Sequence, residues 1–405
     1  MIHIDNDTLQ FAGMLCAVLE RRQIRWKPLD GEKTNQGSEG NNSNYLIANA
    51  TYSSSSFFKD EKDVLAFAVK NGIKNILLIN EFNSEFGISS EKNGKLLKIN
   101  LKSTEEEYDK FFGVYLIASI IQGDEGIVAQ DEKSNNLIEL AKRVAASDVG
   151  VFINGPTGTG KEVLANFLHQ SSRRTGEQFV AINCAAIPGN MLEAMLFGHV
   201  KGAFTGASTA SKGIFRAADK GTLLLDEISE MPISLQAKLL RMLQERAVTP
   251  VGDTSSIPCD VRVIATSNCD MEREIQEGRF REDLFYRLNV FPIETAALKE
   301  RTDDIIPLAT HMLVRHLEDY AQIPYITAEA AALLEEYEWP GNVRELENVM
   351  QRAFVLSNKK SIEATDILIP KRNANERIIQ EKLVSLEDYK FSPAHNNLEE
   401  TGIYR

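Results

Sequence analysis

A glycine-rich loop between an apolar segment and an amphipathic one constrains the fold more than any other feature of this sequence. The stretch VGVFINGPTGTGKEVLANFLHQ runs from a predicted buried strand at 149–153, through the glycines, into a predicted helix that opens at Lys161. Backbone amides in such a loop point at phosphate oxygens, and the amino end of the helix favours negative charge. The pattern therefore predicts a P-loop in an α/β sheet, with nucleotide contacts from Gly155, Gly158, Thr159, Gly160, Lys161 and Glu162.

A second apolar strand supplies the carboxylates that a P-loop ATPase requires. GTLLLDEIS places Asp226 and Glu227 at the carboxyl end of this strand, where α/β sheets bind ligands. Asp226 is predicted to orient Mg²⁺, because Glu162 stands where a Ser or Thr normally contacts the metal, and Glu227 is predicted to activate the attacking water. The alternative is that the two acids cap the following helix. A third strand, VRVIATSN, ends in Asn268, which is placed to sense the γ-phosphate or the water.

Composition argues against several other classes of function. The formal net charge of −13 and the pI of about 5.2 argue against a broad DNA-binding surface. The four cysteines show no CxxC spacing, so neither a zinc site nor a disulfide framework is predicted. The longest apolar run, at 111–121, is too short to span a bilayer, and the amino terminus has no signal-peptide pattern. A cytoplasmic protein with no membrane partner is expected.

The stretch 126–370 resembles the AAA+ domain of bacterial enhancer-binding proteins, the NtrC-class activators of sigma-54 RNA polymerase. The resemblance is carried by the glutamate after the P-loop lysine, by INCAAI around Asn183, and above all by the signature LFGHVKGAFTGA. It implies an α/β AAA+ P-loop ATPase subdomain at 126–300 and a small helical lid at 301–370. It also implies ATP and Mg²⁺ as ligands and a homo-oligomer, a hexameric ring, as the working form.

The resemblance assigns roles to further residues. Asn183 matches the asparagine that restrains the catalytic glutamate until the γ-phosphate is sensed. Arg281 and Arg287, in GRFREDLFYRLNV, match arginine fingers that reach the neighbouring subunit's nucleotide. Arg344, after WPGN, matches a second sensor that folds over the nucleotide from the lid, and Asn342 is predicted to cap the helix that follows it. Helix-surface ion pairs with neighbouring acids are the alternative for all three arginines.

The loop GAFTGA has no apolar periodicity and cannot form a core element. Its two glycines permit backbone angles closed to other residues, Phe204 offers an apolar contact that is favourable only inside a partner, and Thr205 offers a hydroxyl. In the resembled family this loop grips sigma-54 and transmits ATP hydrolysis to the closed promoter complex. Contact with the sigma-54 RNA polymerase holoenzyme is therefore expected from Gly202, Ala203, Phe204, Thr205, Gly206 and Ala207.

Residues 1–123 are predicted to form a flavodoxin-like, receiver-like α/β domain. Strands are expected at 2–4, 24–29, 45–48, 76–79 and 96–99, helices from Leu9 to Leu19, near 60–71 and at 105–121, and a polar loop at 31–44. Asn49 occupies the place of a receiver's phosphate-accepting aspartate, and Asn80 follows the fourth strand in place of the switch Ser or Thr. A degenerate domain that is not phosphorylated is predicted, loosely parallel to that of flagellar activators of the FleQ kind. Asp5 and Asp7 are expected to cap the first helix.

The segment 371–405 bears on how such an activator would reach DNA. It holds six basic and six acidic side chains and one predicted amphipathic helix, too short and too neutral to read a major groove. No intrinsic DNA-binding domain is evident. Two functions follow: an activator that works from solution or through a DNA-binding partner activator, or a regulatory subunit in another activator's ring. A third, an ATPase that remodels a different client, should lack the GAFTGA loop.

Overall fold

The computed structural model describes residues 1–29, 45–51, 57–102, 107–123, 126–315, 317, 319–357 and 360–369. The polar loop predicted at 31–44 and the segment 371–405 lie outside these residues. Residues Met1–Ile367 form one compact unit. Across the described ranges, no helix combines the length and the apolar character that a membrane span requires.

The amino-terminal part of the chain forms a six-stranded sheet with helices on it. Its elements are β1 Ile2–Ile4, α1 Ala12–Arg21, β2 Trp26–Pro28, β3 Tyr45–Asn49, α2 Glu61–Lys70, β4 Asn75–Asn83, β5 Gly87–Glu91, β6 Leu96–Lys102 and α3 Glu107–Gln122. The strand order is β2-β1-β3-β4-β6-β5, and every neighbouring pair is parallel except β5 with β6. Helix α2 packs on one face of the sheet through Val64 and Ala68, while α1 and α3 pack against each other.

Three expectations for this part of the chain are wrong. Strand β4 continues through Asn80 to Asn83, and it is followed by the antiparallel strand β5 where a receiver pattern would give a helix. Helix α1 begins at Ala12, so Leu9 precedes it. Neither Asp5 nor Asp7 caps this helix: Phe11 occupies the cap position and makes no side-chain capping bond.

A five-stranded parallel sheet forms the centre of the molecule. The elements of this part are α4 Glu132–Ala145, β7 Val151–Asn154, α5 Lys161–Gln170, β8 Phe179–Asn183, α6 Gly189–Phe197, α7 Ile214–Ala217, β9 Thr222–Asp226, α8 Ile233–Glu245, β10 Ala247–Val248, β11 Ile257–Pro258, β12 Arg262–Ser267, α9 Met271–Gln276, α10 Glu282–Leu288 and β13 Phe291–Glu294. The order β13-β7-β12-β9-β8 places β9 and β7 on either side of β12. Alternate residues of β9 enter different cores, since Leu223 and Leu225 face one cluster and Leu224 the other. Burial on both faces explains the continuous apolar runs of these strands.

The last described part is a small helical subdomain that touches both preceding parts. It contains α11 Ile305–Arg315, β14 Tyr325–Ile326, α12 Ala328–Glu336, α13 Asn342–Leu356 and β15 Ser361–Ile362. Helix α11 packs on α13 within the lid and on α3 of the amino-terminal domain. Helix α11 of the lid therefore links α3 of the amino-terminal domain to α13.

Candidate nucleotide-binding site

The predicted P-loop joins β7 to α5 at the carboxyl edge of the parallel sheet. Gly160 occupies the cap position of α5 with φ +98°, a left-handed conformation that glycine adopts without strain. Lys161 is buried, and its Nζ donates to the carbonyls of Gly155 at 2.8 Å and Pro156 at 3.0 Å. Burial lowers the pKa of Lys161, and the nearby Asp226 and Glu227 oppose that shift. The structure thus brings the P-loop lysine and both predicted carboxylates together.

Asp226 and Glu227 lie at the end of β9, and Asn183 at the end of the adjacent β8 holds both. Asn183 Nδ2 donates to Asp226 Oδ2 at 3.0 Å and to Glu227 Oε2 at 3.3 Å. Neither acid caps a helix: Glu227 precedes the short 3₁₀ turn at 228–230 without a capping bond, and Pro232 stands at the cap of α8. The capping alternative is therefore wrong, and the geometry matches a restrained glutamate.

Thr266 in β12 is a member of this cluster that the sequence reasoning missed. Its Oγ1 donates to Asp226 Oδ1 at 2.5 Å and accepts a hydrogen bond from the Glu227 backbone N–H at 3.1 Å. Ala265 pairs with Leu225 in the sheet, so the next residues along, Thr266 and Asp226, lie side by side. One available signal was a hydroxyl directly after the apolar residues 263–265 of this strand, two residues before Asn268.

The lid lies directly on the P-loop, and Asn342, which was predicted to cap a helix, makes one of the contacts. Asn342 does not cap α13; Gly341 holds the cap position, and Asn342 is its first residue. Its Nδ2 donates to the carbonyl of Thr157 at 2.9 Å, and its Oδ1 accepts from Leu298 N at 2.8 Å. A Cβ at Gly158 would lie 2.5 Å from the Gly341 carbonyl, so only glycine permits this approach.

Arg344 and Asn268 also approach the P-loop. Arg344 is exposed on α13 and lies against the P-loop: a Cβ added to Gly158 would be 3.2 Å from the Cβ of Arg344. The positive charge of Arg344 also helps to lower the pKa of Lys161. Asn268 Nδ2 donates to the Thr157 hydroxyl at 3.0 Å. Both predicted sensors therefore border the same loop as Lys161.

Two other P-loop residues have surroundings that the sequence did not indicate. Thr159 is buried, and its hydroxyl contacts that of Thr295 at 2.7 Å. Its carbonyl accepts from Arg301 Nη2 at 2.7 Å, which ties the loop to the entrance of the lid. Glu162 is exposed in the first turn of α5, where its charge suits the amino end of a helix.

Arg281 and Arg287 lie away from the P-loop of their own chain. The Arg281 guanidinium pairs with Asp283 at 2.7 Å, the neighbouring acid that the sequence offered as an alternative partner. Arg287 Nη2 donates to the carbonyl of Leu243 at 2.7 Å. Both side chains are exposed. Within the residues that the structure covers, neither donates a hydrogen bond to the P-loop or to Asp226.

The Gly202–Ala207 loop follows α6 and projects as a closed tip. Gly202 N donates to the Ala207 carbonyl at 2.9 Å, and Gly202 and Gly206 both have positive φ angles, +83° and +104°. Phe204 is 46% exposed, and its ring rests edge-on against His199 with a centroid separation of 5.0 Å. The tip therefore presents a half-covered aromatic ring to solvent beside His199.

In the amino-terminal domain, a carboxylate occupies the area where a receiver would bind phosphate. Glu81 accepts from the backbone N–H groups of Gln10 at 3.1 Å and Phe11 at 3.3 Å, next to the start of α1. Asn49, at the end of β3, donates to the Thr8 carbonyl at 2.9 Å and to Glu81 at 3.3 Å. Burial raises the pKa of Glu81, and the two backbone donors oppose that shift.

The same domain encloses a tyrosine of the lid. Tyr325 in β14 is buried, and its ring lies 5.0 Å from that of Phe112 and 5.7 Å from that of Phe86. Its hydroxyl donates to the carboxylate of Asp109, and Tyr108 donates to the Ile326 carbonyl at 3.0 Å. These aromatic and hydrogen-bonded contacts, called the Tyr325 clasp below, join α3 to the lid.

Known proteins resemble the chain over the central sheet and the lid. A family model described as a sigma-54 interaction domain matches residues 127–294, and one described as an AAA+ ATPase lid domain matches residues 299–381. The response regulator protein FleR of Pseudomonas aeruginosa is 55% identical over 247 residues, 61% of this chain and 52% of that protein. The sigma-54-dependent transcriptional activator SfnR of Pseudomonas putida is 43% identical over 274 residues, 67% of this chain and 72% of that protein. The chain spans about half the length of most of the curated relatives it matches.

Among solved structures, NtrX from Brucella abortus in complex with ADP aligns with 96% of this chain and 93% of its own. The sequence identity is 22% and the TM-score is 0.56, a likeness of fold. Together with the family matches, it confirms the predicted fold class: an AAA+ P-loop core with a helical lid, preceded by an α/β domain.

Proposed function

Because the chain belongs to the sigma-54-dependent transcriptional activators, we propose that it hydrolyses ATP in a homo-oligomeric ring and remodels the closed complex of the sigma-54 RNA polymerase holoenzyme. The observation that carries the proposal is the Gly202–Ala207 loop, which exposes Phe204 one helix away from the Asn183 cluster. Burial of this ring in a partner would be favourable, because it removes apolar surface from water. The sigma-54 subunit is the partner that the family implies.

Asn183 connects the nucleotide site to this loop. Its Oδ1 accepts from the N–H groups of Ala185 at 2.8 Å and Ala186 at 3.1 Å, on the path into α6, while its Nδ2 holds the two carboxylates. A nucleotide that draws Glu227 away from Asn183 would alter the hydrogen bonds that hold the segment before α6, and the loop follows shortly after the end of this helix at Phe197. Hydrolysis would reverse that change.

The carboxylates fit a magnesium–nucleotide complex. They are half-buried beside Lys161, and carboxylate oxygens are ligands that Mg²⁺ prefers. Asp226 would hold the ion, which when bound neutralises phosphate charge. Glu227 would accept the proton of the attacking water, and Lys161 would bind the β and γ phosphates. Asn268 would sense the γ-phosphate.

The exposed arginines support action across a subunit boundary. Arg281 and Arg287 lie on the surface, outside hydrogen-bonding contact with the P-loop of their own chain, so as catalytic groups they would serve a neighbouring subunit. An arginine finger contributes roughly 10³ to 10⁵ in rate by stabilising charge during phosphoryl transfer. Arg344 would act from the lid of the same chain. A ring, hexameric by resemblance, would then be the active form.

Residues 1–123 would act as a regulatory domain that works through the lid rather than through phosphorylation. Asn49 cannot accept a phosphoryl group as an aspartate does, and Glu81 already takes two backbone donors beside it. The Tyr325 clasp provides the physical link from α3 to the lid. By holding the lid, the domain would restrain the movement of Arg344 and Asn342 relative to the P-loop.

The experiment that tests the proposal separates ATP hydrolysis from remodelling. Thr205→Ala should retain ATP hydrolysis and abolish isomerisation of a sigma-54 polymerase complex on promoter DNA without enhancer sites. Thr209→Ala, an exposed threonine just beyond the loop, is the matched control and should isomerise the complex as the unaltered protein does. Full isomerisation by the Thr205→Ala protein would show that this loop does not deliver the energy.

A further inference from the structure

Thr266 stands at the junction of the two residues on which the proposed chemistry depends. It is fully buried in β12, next to the end of β9. Its hydroxyl acts in both directions, as donor to Asp226 Oδ1 at 2.5 Å and as acceptor from the Glu227 backbone N–H at 3.1 Å. One side chain therefore contacts the predicted metal-holding carboxylate and the backbone of the predicted base.

The two oxygens of Asp226 have separate donors. Oδ2 accepts from Asn183 and Oδ1 from Thr266, so the plane of the carboxylate is fixed from two neighbouring strands. Partners of this kind orient a metal ligand, and their loss typically costs about 10- to 100-fold in metal affinity or activity. Asn183 also contacts Glu227 and is expected to exchange partners during the cycle. Thr266 lies in β12, which pairs with strands on both sides, whereas Asn183 is the last residue of the edge strand β8.

Glu227 has an unusual backbone that Thr266 stabilises. Its φ and ψ are +53° and +50°, a left-handed conformation that is uncommon for residues other than glycine, asparagine and aspartate. The conformation turns the chain sharply out of β9 and directs the Glu227 carboxylate toward Asn183. The hydrogen bond from the Glu227 N–H to Thr266 fixes that turn where it begins.

We propose that Thr266 is a positioning residue for ATP hydrolysis, which orients Asp226 toward Mg²⁺ and holds the backbone turn that aims Glu227. The proposal rests on the roles proposed for Asp226 and Glu227. It separates the cluster into a fixed side, Thr266, and a switching side, Asn183. A buried hydroxyl with a purely structural role would affect folding but neither the magnesium requirement nor the turnover of the folded protein.

The test compares Thr266→Val, which keeps the shape and loses the hydroxyl, with Thr266→Ser, which keeps the hydroxyl. Two quantities are measured on the full chain: the rate of ATP hydrolysis, and the Mg²⁺ concentration for half-maximal binding of a non-hydrolysable ATP analogue. Thr266→Val should lower turnover by about 10- to 100-fold and raise that Mg²⁺ concentration severalfold. Thr266→Ser should return both quantities toward those of the unaltered protein.

Thr222→Val is the matched control, because Thr222 is equally buried in the same sheet and its hydroxyl contacts His169 instead. It should leave the Mg²⁺ dependence of binding unchanged. Should Thr266→Val fail to fold, Thr266→Ala and Thr266→Ser form a second pair, since both lack the methyl group and differ only in the hydroxyl. Equal magnesium dependence and turnover within a folded pair would overturn the proposal. A failure of the sigma-54 assignment would instead appear as unaltered protein that hydrolyses ATP without remodelling the polymerase.

Discussion

The Tyr325 clasp gives a prediction whose size follows from the structure. Tyr325→Phe removes one hydroxyl, which donates to Asp109 across the junction of α3 and the lid. Asp109 is 4% exposed, so water cannot readily replace the lost donor. Loss of a hydrogen bond to a buried charged group costs about 1–3 kcal/mol or more. The junction should open more often by the corresponding factor, about 5- to 150-fold.

Tyr325→Ala should have a larger effect, because it also removes the ring. The ring contacts Phe112 and Phe86 and lies below the Lys102 ammonium, which is 5.6 Å from its centroid. Truncation of a buried aromatic residue to alanine costs about 3–5 kcal/mol. We therefore expect the phenylalanine variant to loosen the junction and the alanine variant to separate the domains.

Hydrogen–deuterium exchange of peptides that cover α3 and β14 measures this opening directly. Exchange should accelerate in Tyr325→Phe and further in Tyr325→Ala, while peptides of the central sheet stay protected. Tyr286→Phe is the matched control, since Tyr286 is 67% exposed on α10. If the domain restrains the lid, the ATP hydrolysis rate should rise in the same order as exchange. Exchange at α3 no faster in Tyr325→Phe than in the control would refute the reasoning.

Two further predictions concern the nucleotide site. Arg281→Ala or Arg287→Ala should lower ATP hydrolysis by about 10³-fold or more while each subunit still binds ATP. Arg273→Ala, on an exposed helix, is the control and should leave the hydrolysis rate unchanged. Loss of ATP binding in the first two variants would place these arginines in the nucleotide site of their own chain. Asn342→Ala should destabilise the contact of the lid with the P-loop by about 1–3 kcal/mol, because its hydrogen bond to the Thr157 carbonyl is lost, and should weaken ATP binding in an equilibrium titration. Asn348→Ala, exposed on the same helix, is its control, and equal ATP affinity of the two variants would contradict the bridging role.

Local patterns predicted the parts of the site that lie at the ends of strands. The P-loop, Asp226, Glu227 and Asn268 each follow an apolar run, and parallel strands bring their carboxyl ends to one edge. Their proximity was therefore predictable without knowledge of side-chain contacts. Apolar runs also predicted the strand positions of the amino-terminal sheet, except at β4, which continues to Asn83, and at β5, whose half-exposed GISSE has no apolar alternation.

Contacts between distant segments were not predictable in this way. Asn342 has the residue type of a helix cap, but its side chain spans 185 positions to Thr157 because the lid folds back on the P-loop. Thr266 gained its partners from strand register, which a single sequence does not specify. The local sequence favoured Asp5 or Asp7 as the cap of α1, but the backbone N–H groups before this helix donate to Glu81, which is about 70 positions away.

The position of the lid determines how a signal from the amino-terminal domain would reach ATP. Helix α11 packs on α3 on one side and on α13 on the other, and the start of α13 holds the Thr157 and Gly158 carbonyls. In the described part of the chain, no strand of the central sheet makes a comparable contact with α3, so the amino-terminal domain would act on nucleotide through lid position rather than through the strands that carry Asp226 and Thr266. Release of the clasp should therefore change how readily the lid closes, and leave the geometry of the hydrolytic carboxylates as it is.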